Sequence, residues 1–320
     1  ISMTQRWMPL YWTMRRGSVV SGRLQASLVT RVTIDPGDHM LKQRVITALL
    51  ILAILLPAIF YPAPEVFGFV AIVFISAGAW EWARLNQFGP QVSVLAGLAC
   101  ALLCVLAWFF GMANSDLRIL WTISGGAWVV TGAWLLRRGA SAWTALPKNL
   151  RLVGGIFALC VAWLAVVQAR MMGNNFLFSI LVLVWVADIF AYFAGRLFGG
   201  KIVSQKLAPS ISPGKTWEGV FGGMVGVIAL LFVWRSVDAG FAVHSLSLYS
   251  RLTTAGAPFA VLAVLFLAAM SVVGDLVESL FKRSAGVKDS SGLLPGHGGV
   301  LDRIDALLPV LPLAMMLGTL

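Results

Sequence analysis

Long apolar runs alternate with short polar segments along most of the chain. A helix needs about 20 apolar residues to cross the ~30 Å hydrocarbon core of a bilayer. Runs that approach this length cover residues 45–61, 64–80, 92–110, 117–136, 152–169, 176–195, 219–235, 256–277 and 306–320. Because lipid cannot satisfy unpaired backbone groups, such runs predict helices. The expected fold class is therefore all-α, a polytopic transmembrane helical bundle of about nine helices; the second and ninth runs are short, so eight is the alternative.

The composition supports this interpretation. Hydrophobic residues make up 59% of the chain and charged residues 12%, and the mean hydropathy is +0.88, which is far from the balance of a soluble domain. The alternating ten-residue segments of a membrane β-barrel are absent from the sequence. Cys100, Cys104 and Cys160 all lie inside apolar runs, where we expect small buried thiols rather than disulfides or zinc ligands.

Basic residues concentrate in alternate connections between the apolar runs. If the segment before the first run is cytoplasmic, fifteen Lys and Arg residues from Lys42 onward lie on the cytoplasmic side, and four lie on the opposite side: Arg118, Arg170, Arg235 and Arg251. This bias follows the positive-inside rule and predicts that the loop at 279–305 faces the cytoplasm. It also accounts for the net charge of +11 without a nucleic-acid partner.

The composition divides the chain into three parts. Residues 1–39 form a basic extension, and Met40 opens the first apolar run. We expect Met40 to be the natural start and the extension to be upstream sequence or a disordered segment; a basic tail that touches anionic lipid is the alternative. Residues 40–175 are predicted to be scaffold helices. Residues 176–320 are predicted to be the catalytic region, with cytoplasmic loops at 196–218 and 279–305.

The loop at 279–305 is rich in charge and in glycine. In or beside it lie five of the 13 acidic residues, Asp275, Glu278, Asp289, Asp302 and Asp305, together with Lys282, Arg283, Lys288, Arg303 and His297. Carboxylate oxygens suit Mg²⁺, and ammonium and guanidinium groups suit phosphate. The combination indicates a site for a metal and phosphate groups, and a solvated basic loop beside the membrane is the alternative.

A second polar patch begins at Asp188, inside the apolar run 176–195. A carboxylate at membrane depth costs ~2.5–3.5 kcal/mol, so it is expected to be functional, or else paired with Arg196 or a lysine near the end of its helix. The loop that follows offers hydroxyl and ammonium groups from Ser212, Lys215 and Thr216. That mixture suits phosphate, although no Walker pattern is present. We expect Ser212 or Pro213 to lie near the N-terminus of the next helix, where free amides attract anions.

Together these residues resemble the phosphatidate cytidylyltransferases, the CDP-diacylglycerol synthases. The residues that carry the likeness to the long family signature are Ser279, Lys282, Arg283, Lys288, Asp289, Pro295, His297, Gly298, Gly299, Asp302, Arg303 and Asp305. Three further patches resemble the family: Gly274, Asp275, Glu278 and Ser279; Ser212, Pro213 and Lys215 to Gly219, which includes Glu218; and Asp188 within DIFAYFAGRLFG. One departure is Gly214, where the family pattern has a second lysine.

The resemblance implies transfer of a cytidylyl group from CTP to phosphatidic acid. The products would be CDP-diacylglycerol, used in phospholipid biosynthesis, and diphosphate, formed at the cytoplasmic face of a bacterial inner membrane. It also implies a possible homodimer and two cations, Mg²⁺ and K⁺, held by Asp275 and Asp302. The expected catalytic residues are Asp275, Asp302, Lys288, Asp289 and His297. The expected substrate-binding residues are Ser212, Lys215, Thr216, Lys282, Arg283, Arg303, Asp188, Glu218, Ser279 and Asp305.

The residues themselves fit such a reaction. A hairpin of the last two helices would bring Asp275 and Asp302 together, and cations would reduce the repulsion between two anionic substrates. In-line displacement without a covalent enzyme intermediate is the simplest scheme. His297 is expected either to donate to a phosphate oxygen or to cap a turn.

Three rival functions remain at the level of sequence. A transporter commonly has repeated halves with interrupted helices, and no such repeat is visible. A CDP-alcohol phosphotransferase would require a DGxxAR helix, which the sequence lacks. A CTP-dependent lipid kinase is compatible with the composition, but the residues at 279–305 argue against it.

Overall fold

The computed structural model describes residues 36–241 and 245–319, and its side chains from residue 43 onward. Apart from a 3-10 turn at Met112–Asn114 and two isolated β-bridges, the regular elements in these ranges are α-helices. They are α1 (Pro36–Phe60), α2 (Pro64–Leu85), α3 (Pro90–Phe109), α4 (Arg118–Arg138), α5 (Ala140–Ala145), α6 (Lys148–Met172), α7 (Asn174–Phe198), α8 (Trp217–Gly240), α9 (Leu248–Thr254), α10 (Ala257–Ser284), α11 (Leu301–Ile304) and α12 (Leu307–Gly318). The predicted fold class is confirmed.

Eight of these helices are long and apolar enough to cross a membrane, namely α1, α2, α3, α4, α6, α7, α8 and α10. The ninth predicted crossing is α12, which has 12 residues and contains Pro312. At 1.5 Å per residue it extends ~18 Å, which is too short for the hydrocarbon core. The described residues therefore contain eight helices that can cross a membrane, which is the alternative to the predicted count of about nine. Of the predicted N-terminal extension, residues 1–35 lie outside the description, and Met40 lies within α1.

Contacts between distant segments define one end of the bundle. The start of α1 touches the loop after α10, where Arg44 donates to the Gly296 carbonyl and Thr47 to the Pro295 carbonyl. The Trp82 indole at the end of α2 donates to the carbonyl of Arg151 in the first turn of α6. The loop between α7 and α8 reaches the same end, because Arg283 in the last turn of α10 donates to its Ile211 carbonyl. The two polar loops thus meet, as the sequence predicts.

The opposite end is held by a different set of hydrogen bonds. Gln168 near the end of α6 donates to the Ala113 and Ser115 carbonyls. Arg170 donates to the carbonyls of Ile59 and Tyr61, which follow one another closely at the end of α1. The connections expected on the side with few basic residues thus meet at one end.

Glycines of α8 allow it to lie very close to α7. A Cβ added at Gly223 would lie 2.9 Å from the Ala187 carbonyl oxygen, and one at Gly226 would lie 2.6 Å from the Phe190 ring. α8 has two pairs of glycines spaced by four positions, at 219 and 223 and at 222 and 226, and small residues at this spacing permit close approach between membrane helices. This contact fixes the part of α7 that carries Asp188 against the first half of α8.

The three cysteines meet between α3 and α6. Cys100 and Cys104 are buried, as predicted for thiols inside apolar runs, and the Sγ atoms of Cys100 and Cys160 are 3.6 Å apart. The three sulfur atoms lie within 4.8 Å of one another. Their spacing in sequence gave no sign of this cluster, because two different helices bring the thiols together.

Candidate active site

A polar cavity of about 450 Å³ opens between α7, α8 and α10 at the end that holds the two polar loops. Its charged lining residues are Asp188 and Arg196 from α7, Lys215 from the loop before α8, and Asp275 from α10. The Lys215 ammonium lies 2.5 Å from Asp275 Oδ2, so this ion pair links the loop to α10. Thr216, which also lines the cavity, caps α8 by accepting the N–H of Gly219. Thr216 is therefore the cap of α8, and Pro213 and Ser212, which were expected near this N-terminus, precede the cap by three and four positions.

One face of α10 carries a row of polar side chains. Residues four apart share a face of a helix, and Ser279 donates to Asp275 Oδ1 over 3.3 Å. One turn further on, Lys282 forms ion pairs with Glu278 of its own helix and with Asp302, whose Oδ1 lies 2.6 Å away. The row connects the cavity at Asp275 with the loop that contains Asp302.

Asp302 is enclosed by hydrogen-bond donors. Besides Lys282 at Oδ1, its Oδ2 accepts the Ser290 N–H and hydroxyl, both at 2.9 Å, and the Gly299 N–H at 2.7 Å. Burial raises the pKa of this carboxyl, but Lys282 and the backbone donors outweigh that effect and lower the pKa to about 2. Asp302 is consequently ionised at neutral pH, and it is not among the residues that line the cavity.

The carboxyl group of Asp305 interacts electrostatically with that of Asp275. Burial and the negative charge of Asp275 raise the pKa of Asp305 to about 7. The Asp305 backbone reaches α10 because residue 274 is glycine, since a Cβ at Gly274 would lie 2.5 Å from the Asp305 carbonyl oxygen. The nearby charge of Asp275 therefore favours the protonated form of Asp305 beside the cavity.

Glu81, near the end of α2, holds the loop before α11. This side chain is fully buried. Its Oε1 accepts the Ser291 hydroxyl at 2.6 Å and the Val300 N–H at 2.9 Å, and its Oε2 accepts the Leu301 N–H at 2.8 Å. The Ser290 hydroxyl lies between Glu81 Oε2 and Asp302 Oδ2, at 3.1 and 2.9 Å. The first five predicted helices are thus more than a scaffold, because one of them positions the loop of Asp302.

Two glycines of this loop are required by the close approach of Glu81 and Asp302. A Cβ at Gly299 would lie 2.0 Å from Ser290 Oγ and 2.4 Å from Glu81 Oε1. Gly298 has a φ of 82°, and a Cβ there would lie 2.6 Å from Asp302 Oδ2. Any larger residue at either position would displace a carboxylate or strain the backbone.

Glu218, in the first turn of α8, holds the other polar loop. It is buried, and its Oε1 accepts the N–H groups of Gly200, Ile202 and Val203 at 2.9 to 3.1 Å. These contacts give Glu218 a role in fixing the loop. Its assignment to substrate binding stays a prediction.

The remaining predicted residues lie outside the cavity lining, in the last turn of α10, in α11 and in the two polar loops. Arg283 joins the loops by donating to the Ile211 carbonyl, next to Ser212. Arg303 donates to the His297 carbonyl at 2.5 Å, and His297 Nδ1 is buried with no hydrogen-bond partner among the described residues. Lys288 and Asp289 are exposed. The structure thus brings Asp188, Lys215, Thr216 and Asp275 into one cavity, and it groups Ser279, Lys282, Asp302 and Asp305 along its α10 side.

Fold and cavity together define a polytopic membrane protein with a charged site at one end of its bundle. The chain belongs to the cytidylyltransferase family, whose model, described as "Cytidylyltransferase family", matches residues 42–320. A phosphatidate cytidylyltransferase of Pseudomonas aeruginosa is 37% identical over 279 residues, which cover 85% of this chain and 95% of that protein. One of Haemophilus influenzae is 35% identical over 296 residues, 85% of this chain and 96% of that protein. One of Thermotoga maritima is 43% identical over 136 residues, 42% of this chain and 46% of that protein.

Replacing Glu81 by glutamine should release the loop before α11. Glutamine offers one acceptor oxygen where the carboxylate offers two, and each hydrogen bond to a charged group is worth roughly 1.5–3 kcal/mol. We expect hydrogen exchange of the Val300 and Leu301 amides to accelerate by roughly tenfold or more. The exposed Glu65 at the other end of α2 supplies the control, Glu65→Gln. Unchanged exchange in Glu81→Gln would contradict the positioning role.

Proposed function

We propose that this protein is a phosphatidate cytidylyltransferase, which converts CTP and phosphatidic acid to CDP-diacylglycerol and diphosphate. Family membership and the names of the full-length relatives support this reaction. The structural observation that carries the proposal is the Lys215–Asp275 pair inside a cavity at the end of a membrane bundle. In this proposal Lys215 would bind a phosphate oxygen and Asp275 would bind the metal.

Charge neutralisation is the main task of the site, because both substrates carry several negative charges. Lys215 and Arg196 line the cavity and are placed to bind phosphate oxygens there. Lys282 lies one turn beyond Ser279 on the polar face of α10 and can exchange one of its carboxylate partners for a phosphate. Preorganised cations of this kind stabilise charge that develops in the transition state.

The carboxylates that line the cavity are suitable ligands for Mg²⁺. Asp188 and Asp275 are hard oxygen donors in this lining, and the charge of Asp275 that raises the pKa of Asp305 is the kind of excess charge that a cation would balance. When bound, the metal would neutralise phosphate charge and orient the triphosphate. Asp302 would join as the second ligand if Lys282 transferred to a phosphate, since Lys282 now occupies its Oδ1. K⁺ remains our proposal for the second cation.

The remaining residues position the reactants. A phosphate of phosphatidic acid is anionic near neutral pH, so it can attack the α-phosphorus of CTP in line without a general base. The unpartnered Nδ1 of His297 is available to donate to a phosphate oxygen, and Arg283 and Arg303 hold the loops that surround it. Ser212, Lys288 and Asp289 are proposed to contact substrate from these loops. A homodimer stays a prediction.

Labelled CTP tests the reaction. We expect purified protein with phosphatidic acid, Mg²⁺ and K⁺ to transfer label from the α-phosphate of CTP to the lipid, and we expect chelation of Mg²⁺ to stop the transfer. Lipid labelled from the γ-phosphate would instead identify a lipid kinase. Uptake of solute by proteoliposomes that contain no CTP would favour a transporter.

Substitution of the two aspartates tests their roles. Asp275→Asn and Asp302→Asn each remove one negative charge from the proposed metal site, and we expect kcat to fall by roughly 10²-fold or more. The altered Asp275 site should also require more Mg²⁺ for half-maximal activity. Asp116→Asn, at the exposed pair with Arg118, is the control. Near-native kcat in Asp302→Asn, in protein with native thermal denaturation, would remove Asp302 from the site.

We also propose that the cavity faces the cytoplasm of a bacterial inner membrane. The end of the bundle that holds the cavity carries the basic loops, in agreement with the positive-inside rule. A membrane-impermeant maleimide should therefore label Ser115→Cys in intact spheroplasts and label Ser204→Cys only after lysis. Both positions are exposed and lie at opposite ends of the bundle. Labelling of Ser204→Cys in intact spheroplasts would reverse the orientation.

A further inference from the structure

A second groove lies on the opposite side of α10 from the polar cavity. It has a volume of about 360 Å³, within the range of ligand-binding pockets, and it is bounded by α4, α5, α6 and α10. Its floor is aromatic: the ring centroids of Trp143 and Phe281 are 4.2 Å apart, and those of Trp82 and Phe281 are 5.0 Å apart. Apart from Ser124, Thr131 and Arg151, its described lining residues are apolar side chains or glycine.

Arg151 is the one charged group among the described residues that line the groove. Its guanidinium lies over the Trp143 ring, 5.5 Å from the centroid, and its buried Nε has no hydrogen-bond partner among the described residues. A buried guanidinium nitrogen without a partner leaves a donor available for an anion. No acidic residue in the described lining competes for it.

The groove opens at the end of the bundle that is rich in basic residues. α4 ends with Arg137 and Arg138, and α6 begins with Lys148. These basic residues therefore lie at the same end of the bundle as Arg151. An apolar groove between membrane helices with a cationic rim matches a lipid chain joined to a negatively charged head group.

We propose that this groove binds an anionic glycerophospholipid, with one acyl chain on the aromatic floor and the phosphate at Arg151. The site is separate from the one that we assign to the substrate, because Phe281 and Asp275 lie on different faces of α10. Its occupant would contact Phe281 and Leu301, which directly precede Lys282 and Asp302 in the sequence. A lipid in the groove would therefore touch both backbones that carry the Lys282–Asp302 ion pair.

Two substitutions separate the chain-binding and phosphate-binding parts. Gly154 lines the groove, and a Cβ there meets nothing within 4 Å, so Gly154→Leu should fill the groove without displacing a helix. Gly126 in α4 has equally open surroundings and is not a lining residue, so Gly126→Leu is its matched control. Arg151→Gln removes the cation, and Arg235→Gln removes an exposed arginine in the second half of α8, far from the groove lining and its basic rim.

Native mass spectrometry of the full chain with dioleoyl phosphatidylglycerol, and with phosphatidylcholine of the same chains, tests the proposal without reference to catalysis. We expect one tightly held phosphatidylglycerol per chain, and affinity weakened roughly tenfold by Arg151→Gln, the loss of one charge-assisted contact. Gly154→Leu should weaken the binding of both lipids. Gly126→Leu and Arg235→Gln should change the affinity less than twofold, and thermal denaturation confirms that each variant is folded.

Three results would overturn the proposal. Phosphatidylglycerol affinity in Arg151→Gln equal to that of the unsubstituted chain would remove the phosphate contact. Equal losses in Gly154→Leu and Gly126→Leu would show that the groove is not the place of binding. Loss of a dimer in Gly154→Leu with unchanged lipid binding would assign the groove to a second copy of this chain.

Discussion

Buried glutamates that accept backbone N–H groups hold the polar loops of this bundle in place. Loops at the end of a membrane protein contain amides that regular helices do not satisfy, and an unpaired buried amide is costly. Glu81 accepts two such amides from the loop before α11, and Glu218 accepts three from the loop after α7. Each glutamate extends from a long helix, so the rigidity of the bundle is transmitted to a loop that has little regular structure.

The consequence for the site is a fixed arrangement of charge. Because Glu81 accepts hydrogen bonds from Ser290 and Leu301, it fixes the positions of the loop donors that surround Asp302. Lys282 then connects Asp302 to Glu278 on α10. Because two carboxylates share this lysine, it would keep one of them if the other were exchanged for a phosphate oxygen in the reaction that we propose.

Much of the fold could be predicted from the sequence, because a bilayer permits few architectures and the apolar runs are long. The eight crossings and the meeting of the polar loops at one end follow from run length and charge. The bounds of α12 did not follow, because an apolar run of 15 residues looks the same whether it crosses the membrane or ends halfway. Its actual length depends on packing against other helices.

Only some residues of the candidate site could be predicted from the sequence. Asp188, Lys215 and Asp275 were chosen for their charge and by resemblance, and they do line one cavity. Glu81 was missed: it directly follows the predicted run 64–80, and a single glutamate among the apolar residues of FISAGAWEWARL was a signal similar to Asp188. Its partners lie about 210 to 220 positions further along the chain, and no local pattern links residues at that separation. The contacts of Glu218 with the loop could not be predicted for a related reason. Its position in the family motif indicated substrate binding, whereas its partners are backbone N–H groups 15 to 18 positions earlier in the chain.

The two sides of α10 explain how one helix can serve both lipid and charged groups. Positions 275, 279 and 282 share one face and form the polar row, whereas positions 277 and 281 share another and form part of the aromatic groove. A helix that is polar on one side and apolar on the other is normally found at a water boundary. Here α10 separates a cavity that has charged lining residues from a groove whose described lining is mostly apolar. A shift of this helix along or about its axis would alter both at once, which couples the lipid environment to the geometry of Lys282 and Asp302.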